Sequence, residues 1–154
     1  GEVLALMKKH GTYYIPTISA GMFVAEKAKE SGYYPPIIVP KALEIGPRLL
    51  NTFTTAYKFG IKIAFGTDSG VSYHGDNAKE FYYMVKGGMS EMEAIRSATV
   101  VASEMLKIND KYGTIESNKV ADIIAVEGNP IKDITSLQKV VFVMKDGEIY
   151  KNPN

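Results

Sequence analysis

The sequence predicts an α/β fold built on parallel strands that are covered on both faces. Three observations carry this. Ile61, Ile63, Ala64 and Phe65 form a nearly continuous apolar run of strand length, which suits a strand buried on both sides. Before it, Leu43, Ile45, Leu49, Leu50, Phe53 and Tyr57 recur at three- and four-residue steps and stop at Gly60, so a helix ended by a C′ glycine leads into the strand. Helix, glycine, strand is the second half of a βαβ unit. From Tyr112 the pattern changes to short strands separated by turn residues, so a smaller sheet closes the chain.

In order, Gly1 to His10 carries Val3, Leu4, Leu6 and Met7 at helical spacing with a weak start signal, and reads as a helix entered mid-pattern. Thr12-Tyr-Tyr-Ile-Pro-Thr-Ile18 is rich in β-branched and aromatic residues. It predicts a strand stopped by Ser19-Ala-Gly21, with Pro16 suiting an edge position. Met22 to Glu30 alternate apolar and charged groups in a helical manner until Gly32-Tyr-Tyr-Pro-Pro36 breaks them. That break is either a surface connection or a rim over a pocket. Pro40 to Phe59 is the next helix, interrupted by Gly46-Pro47.

Beyond the strand, Asp76 and Asn77 suit the N-cap of a helix from Ala78 to Lys86. Ser90-Glu-Met-Glu93 is a capping box, and Met92, Ile95, Ala98, Ala102 and Met105 mark one buried face of a helix reaching about Lys107. Gly113 to Glu116, Ala121 to Val126, Val140 to Met144 and Glu148 to Tyr150 read as strands, the last three forming one small sheet. Lys145-Asp-Gly147 is its hairpin turn.

The chemistry centres on Thr67-Asp68-Ser69, bracketed by Gly66 and Gly70 where the buried strand ends. Glycine there allows tight turning or close approach of a ligand to the backbone. A carboxylate at the C-terminal end of a parallel strand can ligate a metal or take a proton. Thr-Asp-Ser-Gly is equally good turn chemistry, so a turn or capping role for Asp68 stands beside the functional one. His74 follows in a glycine-containing loop. Its imidazole titrates near neutrality and suits a contact to substrate or to Asp68; as a lone histidine in a loop it also suits no role at all.

Ile63-Ala-Phe-Gly-Thr-Asp-Ser-Gly70 followed by His74-Gly-Asp-Asn-Ala-Lys-Glu80 resembles the last barrel strand and loop of the amidohydrolase superfamily, and within it the imidazolonepropionase-like branch. That branch includes prolidase-like dipeptidases and carboxypeptidases that release arginine or lysine. Gly11-Thr-Tyr-Tyr-Ile-Pro-Thr-Ile18, Gly87 to Thr99, Gly113-Thr-Ile-Glu116, Lys119 to Val126 and Val143-Met-Lys-Asp-Gly-Glu-Ile149 agree with the family in order. The resemblance implies the C-terminal part of a (β/α)8 TIM barrel over residues 1–111, with its last two strands and helices. Over 112–154 it implies strands of a small β-sandwich, in which Asp122 is structural. It makes Asp68 the catalytic acid–base and a metal ligand, and turns Thr17 and His74 toward substrate.

The resemblance also implies zinc, one or two divalent ions held by a His-x-His, a lysine or carboxylate and two further histidines. The two histidines present, His10 and His74, do not stand at those positions. The chain is therefore expected to be the C-terminal portion of a longer enzyme, with the N-terminal remainder as its partner. The expected activity is metal-dependent cleavage of a C–N bond in dipeptide-like or N-acyl amino acid substrates. Cyclic-amide hydrolysis, heterocycle deamination and a non-enzymatic α/β binding module are the alternatives.

Composition bounds these readings. A length of 154 residues with 45% hydrophobic content is that of one globular unit, whereas a barrel takes about 250. A net charge of +1 without a basic run gives no case for nucleic acid or an anionic membrane, and no apolar run is long enough to span a bilayer. Zero cysteines remove disulfides and thiolate metal sites. The expected location is cytoplasmic, with a leader on the missing part left open. Association into a homo-oligomer is also expected, because helices without their barrel partners expose apolar faces.

Overall fold

The computed structural model describes residues 1–153, and its element order follows the predicted alternation. Helix α1 (Glu2–His10) leads through Gly11 into strand β1 (Tyr13–Tyr14), helix α2 (Ile18–Lys27) and the long helix α3 (Val39–Phe59). Gly60, at φ 82°, ends α3 and turns the chain into strand β2 (Lys62–Ile63). Helices α4 (Lys79–Lys86), α5 (Glu91–Ala98) and α6 (Val100–Leu106) follow. The last third holds strands β3 (Ile123–Val126), β4 (Val140–Lys145) and β5 (Glu148–Lys151), with a 3-10 turn at Ile134–Gln138.

Strands β1 and β2 pair in parallel, Tyr13 opposite Lys62 and Tyr14 opposite Ile63, and Ala64 extends the register by donating to the Tyr14 carbonyl at 3.1 Å. The order β3-β4-β5 is antiparallel throughout, so the predicted final sheet is present. The core forms where α2, α3, α4 and β2 meet. Ile18, Phe53, Ala56, Ile61, Ile63 and Met84 are buried there. Gly21 and Gly46 let α2 and α3 touch, since a Cβ on Gly46 would stand 2.7 Å from Met22 Sδ and 3.0 Å from the Gly21 carbonyl oxygen. Among the described residues no helix is long and apolar enough to cross a membrane.

Several boundaries differ from the sequence reading. The strand expected over Thr12 to Ile18 is only Tyr13–Tyr14, and α2 starts at Ile18, where a stop signal was read. Pro16 therefore sits, fully buried, in the turn between strand and helix and costs no ladder hydrogen bond. Gly46-Pro47 does not interrupt α3. The helix expected from Ser90 to Lys107 is two, because Thr99 (φ −119°, ψ −88°) leaves helical geometry between α5 and α6. Gly113 to Glu116 is not a strand. Gly113 has φ 100° and packs against Ser103, which makes it a corner.

Candidate active site

Each parallel strand is followed by a non-glycine residue in the left-handed region: Thr17 (φ 44°) beyond β1 and Asp68 (φ 53°) beyond β2. For a β-branched residue such as Thr17 this is an outlier, and strain of this kind costs about 1–3 kcal/mol that surrounding contacts must offset. The other left-handed non-glycine residues have local reasons. Lys107 caps the end of α6, Asp146 lies in the β4–β5 hairpin and Asn118 is of a type that tolerates the region.

The two strained turns lie side by side. A Cβ built on Gly66 would collide with Ile15 Cγ2 and lie 3.9 Å from Thr17 Cγ2, so only glycine lets the β1 and β2 ends approach this closely. Two residues on, the Asp68 side chain is exposed, as a ligand-binding or proton-handling carboxylate needs to be. Its neighbours are pinned. Thr67 Oγ1 and Ser69 Oγ are 2.9 Å apart, and Asn77 Nδ2 donates to Ser69 Oγ at 2.9 Å and to Thr67 Oγ1 at 3.4 Å. Asn77 Oδ1 accepts from the Gly75 amide at 3.1 Å, which ties the His74–Gly75 corner to the Asp68 turn.

Asn77 was expected to cap α4, and the structure gives it this bridging role instead; the N-cap of α4 is Ala78, without a side-chain cap. Asp76 pairs with Lys79 at 2.8 Å. His74 is exposed. Tyr73 beside it packs edge-on against Phe23 with ring centroids 5.3 Å apart. Lys27 Nζ sits over the rings of Phe23, Tyr33 and Tyr73 at 5.7, 5.3 and 6.0 Å and pairs with Glu30 at 2.7 Å. The Tyr33 break therefore docks onto α2 and, through Lys27, onto the His74 loop. Asp68, Thr17 and His74 lie outside the apolar groove of about 730 Å³ that Phe65, Phe81 and Ile95 share with Ile123, Val126 and Val140.

Glu80 is the group that sequence reasoning missed. It is fully buried on α4. Its Oε1 accepts the Ile18 amide at 2.9 Å and its Oε2 the Ser19 amide at 2.6 Å, so it caps α2 in place of Thr17, whose side chain makes no cap bond. Burial pushes the Glu80 carboxyl above its ordinary value against the lowering effect of those amides. Burial also raises the Tyr14 hydroxyl, helped by the Glu80 charge. A signal existed: Glu80 stands four residues before buried Met84, on the face an amphipathic helix fills with apolar residues.

No group of three or more His, Asp or Glu side chains that could hold a metal ion occurs among the described residues. A catalytic zinc takes three protein ligands and an open position. Asp68 supplies one donor, so the residues present do not by themselves fit the zinc site that the resemblance implies.

Comparison with known proteins gives these features a setting. The Amidohydrolase family model matches residues 1–150. The Aspergillus niger ochratoxinase is 34% identical over 99% of this chain and 32% of its own length, and its crystal structure superposes with a TM-score of 0.76, covering 35% of that chain. The crystal structure of a Xaa-Pro dipeptidase with methionine bound in its active site has a TM-score of 0.93 and 56% identity, over 98% of this chain and 37% of that one. A prolidase complexed with N-methylphosphonate-L-proline has a TM-score of 0.83 and 28% identity, over 97% and 37%. The chain thus spans about a third of the length of the relatives it matches. With a match that extends over nearly every residue, the chain belongs to the amidohydrolase family.

Proposed function

We propose that this chain is the C-terminal part of a metal-dependent amidohydrolase that hydrolyses a C–N bond, with residues 1–111 as the last two strands and helices of a (β/α)8 barrel. Residues 112–154 form strands of a companion β-sandwich. The observation that carries this reading is the exposed Asp68 carboxylate on a left-handed turn at the end of a parallel strand, beside the strained turn of the neighbouring strand. Catalytic groups of α/β barrels occupy that place. The remaining metal ligands belong to sequence outside these 154 residues. No residue of β3, β4 or β5 is fully buried, as befits a sheet that a further layer covers.

In this reading the Asp68 carboxylate would be one donor to a divalent ion, zinc for preference, which would supply Lewis-acid chemistry once ligands from outside these 154 residues complete its site. The carboxylate takes the proton of the attacking water and returns it to the leaving nitrogen, the work of a general base and then acid. Thr17 and His74 contact substrate from the two flanking turns. The relatives named as a Xaa-Pro dipeptidase and a prolidase favour dipeptides ending in proline, within the wider class of dipeptides and N-acyl amino acids.

The test is a substrate screen on the intact protein, before and after chelation and with zinc returned. Turnover of Xaa-Pro dipeptides or N-acyl amino acids that chelation abolishes and zinc restores is the expected result. Turnover confined to heterocyclic amides would move the assignment to cyclic-amide hydrolysis. No turnover and no bound metal would leave a non-enzymatic module.

A further inference from the structure

We propose that Glu80 is a positioning residue of the active site, whose buried carboxylate fixes the start of α2 and with it the left-handed Thr17 against the Gly66–Asp68 turn. The inference rests on the amidohydrolase reading above and goes beyond it, because Glu80 touches neither the Asp68 turn nor any group assigned to substrate except through Thr17.

The start of α2 is built in an expensive way. Threonine is a good capping residue when its backbone is extended, for its hydroxyl then accepts an amide of the first turn. Thr17 is instead left-handed and makes no such bond. The amides of Ile18 and Ser19 are satisfied from 62 and 61 residues away, by one oxygen each of Glu80. The carboxylate that does this is fully buried and has no cationic partner among the ion pairs of the described residues. Burying a charge in that state is costly, and it persists only where hydrogen bonds to it are good. A local cap would serve the helix alone more cheaply.

What the distant cap achieves is placement. Two short bonds to consecutive amides fix the helix start, and with it the backbone of Thr17. The Thr17 methyl lies beside Gly66, with 3.9 Å between Thr17 Cγ2 and a Cβ position on that glycine. Gly66 is two residues from Asp68. Glu80 also sits on α4, directly after the loop that carries His74, and its own amide is bonded to the carbonyl of Asn77 at 3.2 Å. Asn77 in turn pins Thr67 and Ser69. Glu80 therefore joins the turn after β1, through its side chain, to the loop after β2, through its backbone at the start of α4 and the Asn77 side chain, and the side-chain link is the one that sets Thr17 relative to Asp68 and His74.

The experiment uses the intact enzyme and four variants: Glu80→Gln, Thr17→Gly, their combination, and Ser90→Ala as a stability control. Glutamine keeps the shape but offers one acceptor for two amides and sets an NH2 against the other. Glycine adopts the left-handed region freely and loses the methyl that faces Gly66. Ser90→Ala removes the α5 capping box, remote from the turns. Measured per folded molecule on a Xaa-Pro dipeptide, Glu80→Gln and Thr17→Gly each lower kcat/KM by roughly 10- to 100-fold, the scale of a site misplaced by up to an ångström.

The double variant is no worse than the poorer single one, because both changes release the same turn. Ser90→Ala lowers the unfolding midpoint and leaves kcat/KM unchanged. A Glu80→Gln enzyme that loses stability as Ser90→Ala does but keeps kcat/KM overturns the proposal, and so do Glu80→Gln and Thr17→Gly effects that simply multiply. Should Glu80→Gln not fold, Glu80→Asp, which keeps the carboxylate but draws it back by one methylene from the Ile18 and Ser19 amides, takes its place, and wild-type kcat/KM per folded molecule in it overturns the proposal. A wild-type enzyme that hydrolyses no amide takes down the amidohydrolase reading and this inference together, whereas an active wild type beside an equally active Glu80→Gln removes only the inference.

Discussion

The two sheets of this chain put left-handed residues to opposite uses. In the antiparallel sheet, Asp146 (φ 51°) and Gly147 (φ 80°) form the two-residue turn between β4 and β5. A right-handed strand twist demands that turn type, and Asp-Gly is the sequence that supplies it. Nothing is left over to explain. Between β1 and α2 no hairpin is made, yet Thr17, a β-branched residue, stands at φ 44°, and the two amides that follow it are taken by a carboxylate from another helix. Unusual backbone geometry points to function only where the local sequence does not itself ask for it. Burial separates the regions in the same way: the parallel strands feed a core that includes fully buried Ile18 and Phe53, whereas the strands of the final sheet have no fully buried residue.

The contrast is broken most directly at the two aspartates. Asp68→Asn in the intact enzyme is expected to lower kcat by about 10²–10⁴-fold, the share of a lost general acid–base, with the unfolding midpoint nearly unchanged. Asp146→Asn, in a left-handed position that asparagine tolerates, should alter neither. Equal kinetics for both variants would reduce Asp68 to a turn residue like Asp146. Next in size is Gly66→Ala. Its Cβ would collide with Ile15 in the seam between the parallel strands, at a cost of about 1–3 kcal/mol for overpacking. Denaturant unfolding measures this, and an unperturbed midpoint would show that the seam gives way freely.

How far the sequence reveals these regions follows from where their interactions lie. The α3 periodicity, the Ser90–Glu93 capping box and the Asp-Gly hairpin depend on residues within a few positions of one another, and all are present in the structure. The α2 start is misread by four residues because the group that caps it is Glu80, far along the chain. Parallel strands β1 and β2 come out shorter than their apolar runs because pairing partners, not propensity, set strand length. The place of Asp68, an exposed carboxylate on the turn after a parallel strand, was legible from its position between glycines at a strand end. Glu80 left only the faint signal of its place on the apolar face of α4, since a glutamate between Lys79 and Phe81 otherwise looks solvated until tertiary packing closes over it.

Glu80 also makes stability depend on pH. Its carboxyl is raised in the folded protein, so the folded state holds a proton more readily than the unfolded chain, and stability falls wherever the unfolded chain binds fewer protons. The contribution is fully present below the ordinary glutamate value of about 4.3 and is lost as pH rises through the raised folded value. Glu80→Gln should remove that decline. Unfolding free energy measured across this window for both proteins tests it, and parallel curves would show that Glu80 titrates as it does in the unfolded chain.

The smallest expected effect lies in the final sheet. Asp122 Oδ1 accepts the Asp146 amide at 2.7 Å across the hairpin, and its Oδ2 lies 3.7 Å from Lys145 Nζ. Lys145 is 70% exposed at its side chain, so the ion pair is screened and worth at most about 1 kcal/mol. The amide bond is the larger part, on the order of 1 kcal/mol for a hydrogen bond at a turn. Asp122→Ala loses both and should destabilise by about 1–2 kcal/mol on these figures. Asp122→Asn keeps an acceptor for the Asp146 amide and should lose only a few tenths of a kcal/mol, with added salt shrinking the difference from wild type. Neither change should alter kcat/KM, because the β4–β5 turn carries no residue assigned to chemistry. A fall in kcat/KM for Asp122→Asn at unchanged stability would move Asp122 from the sheet into the site.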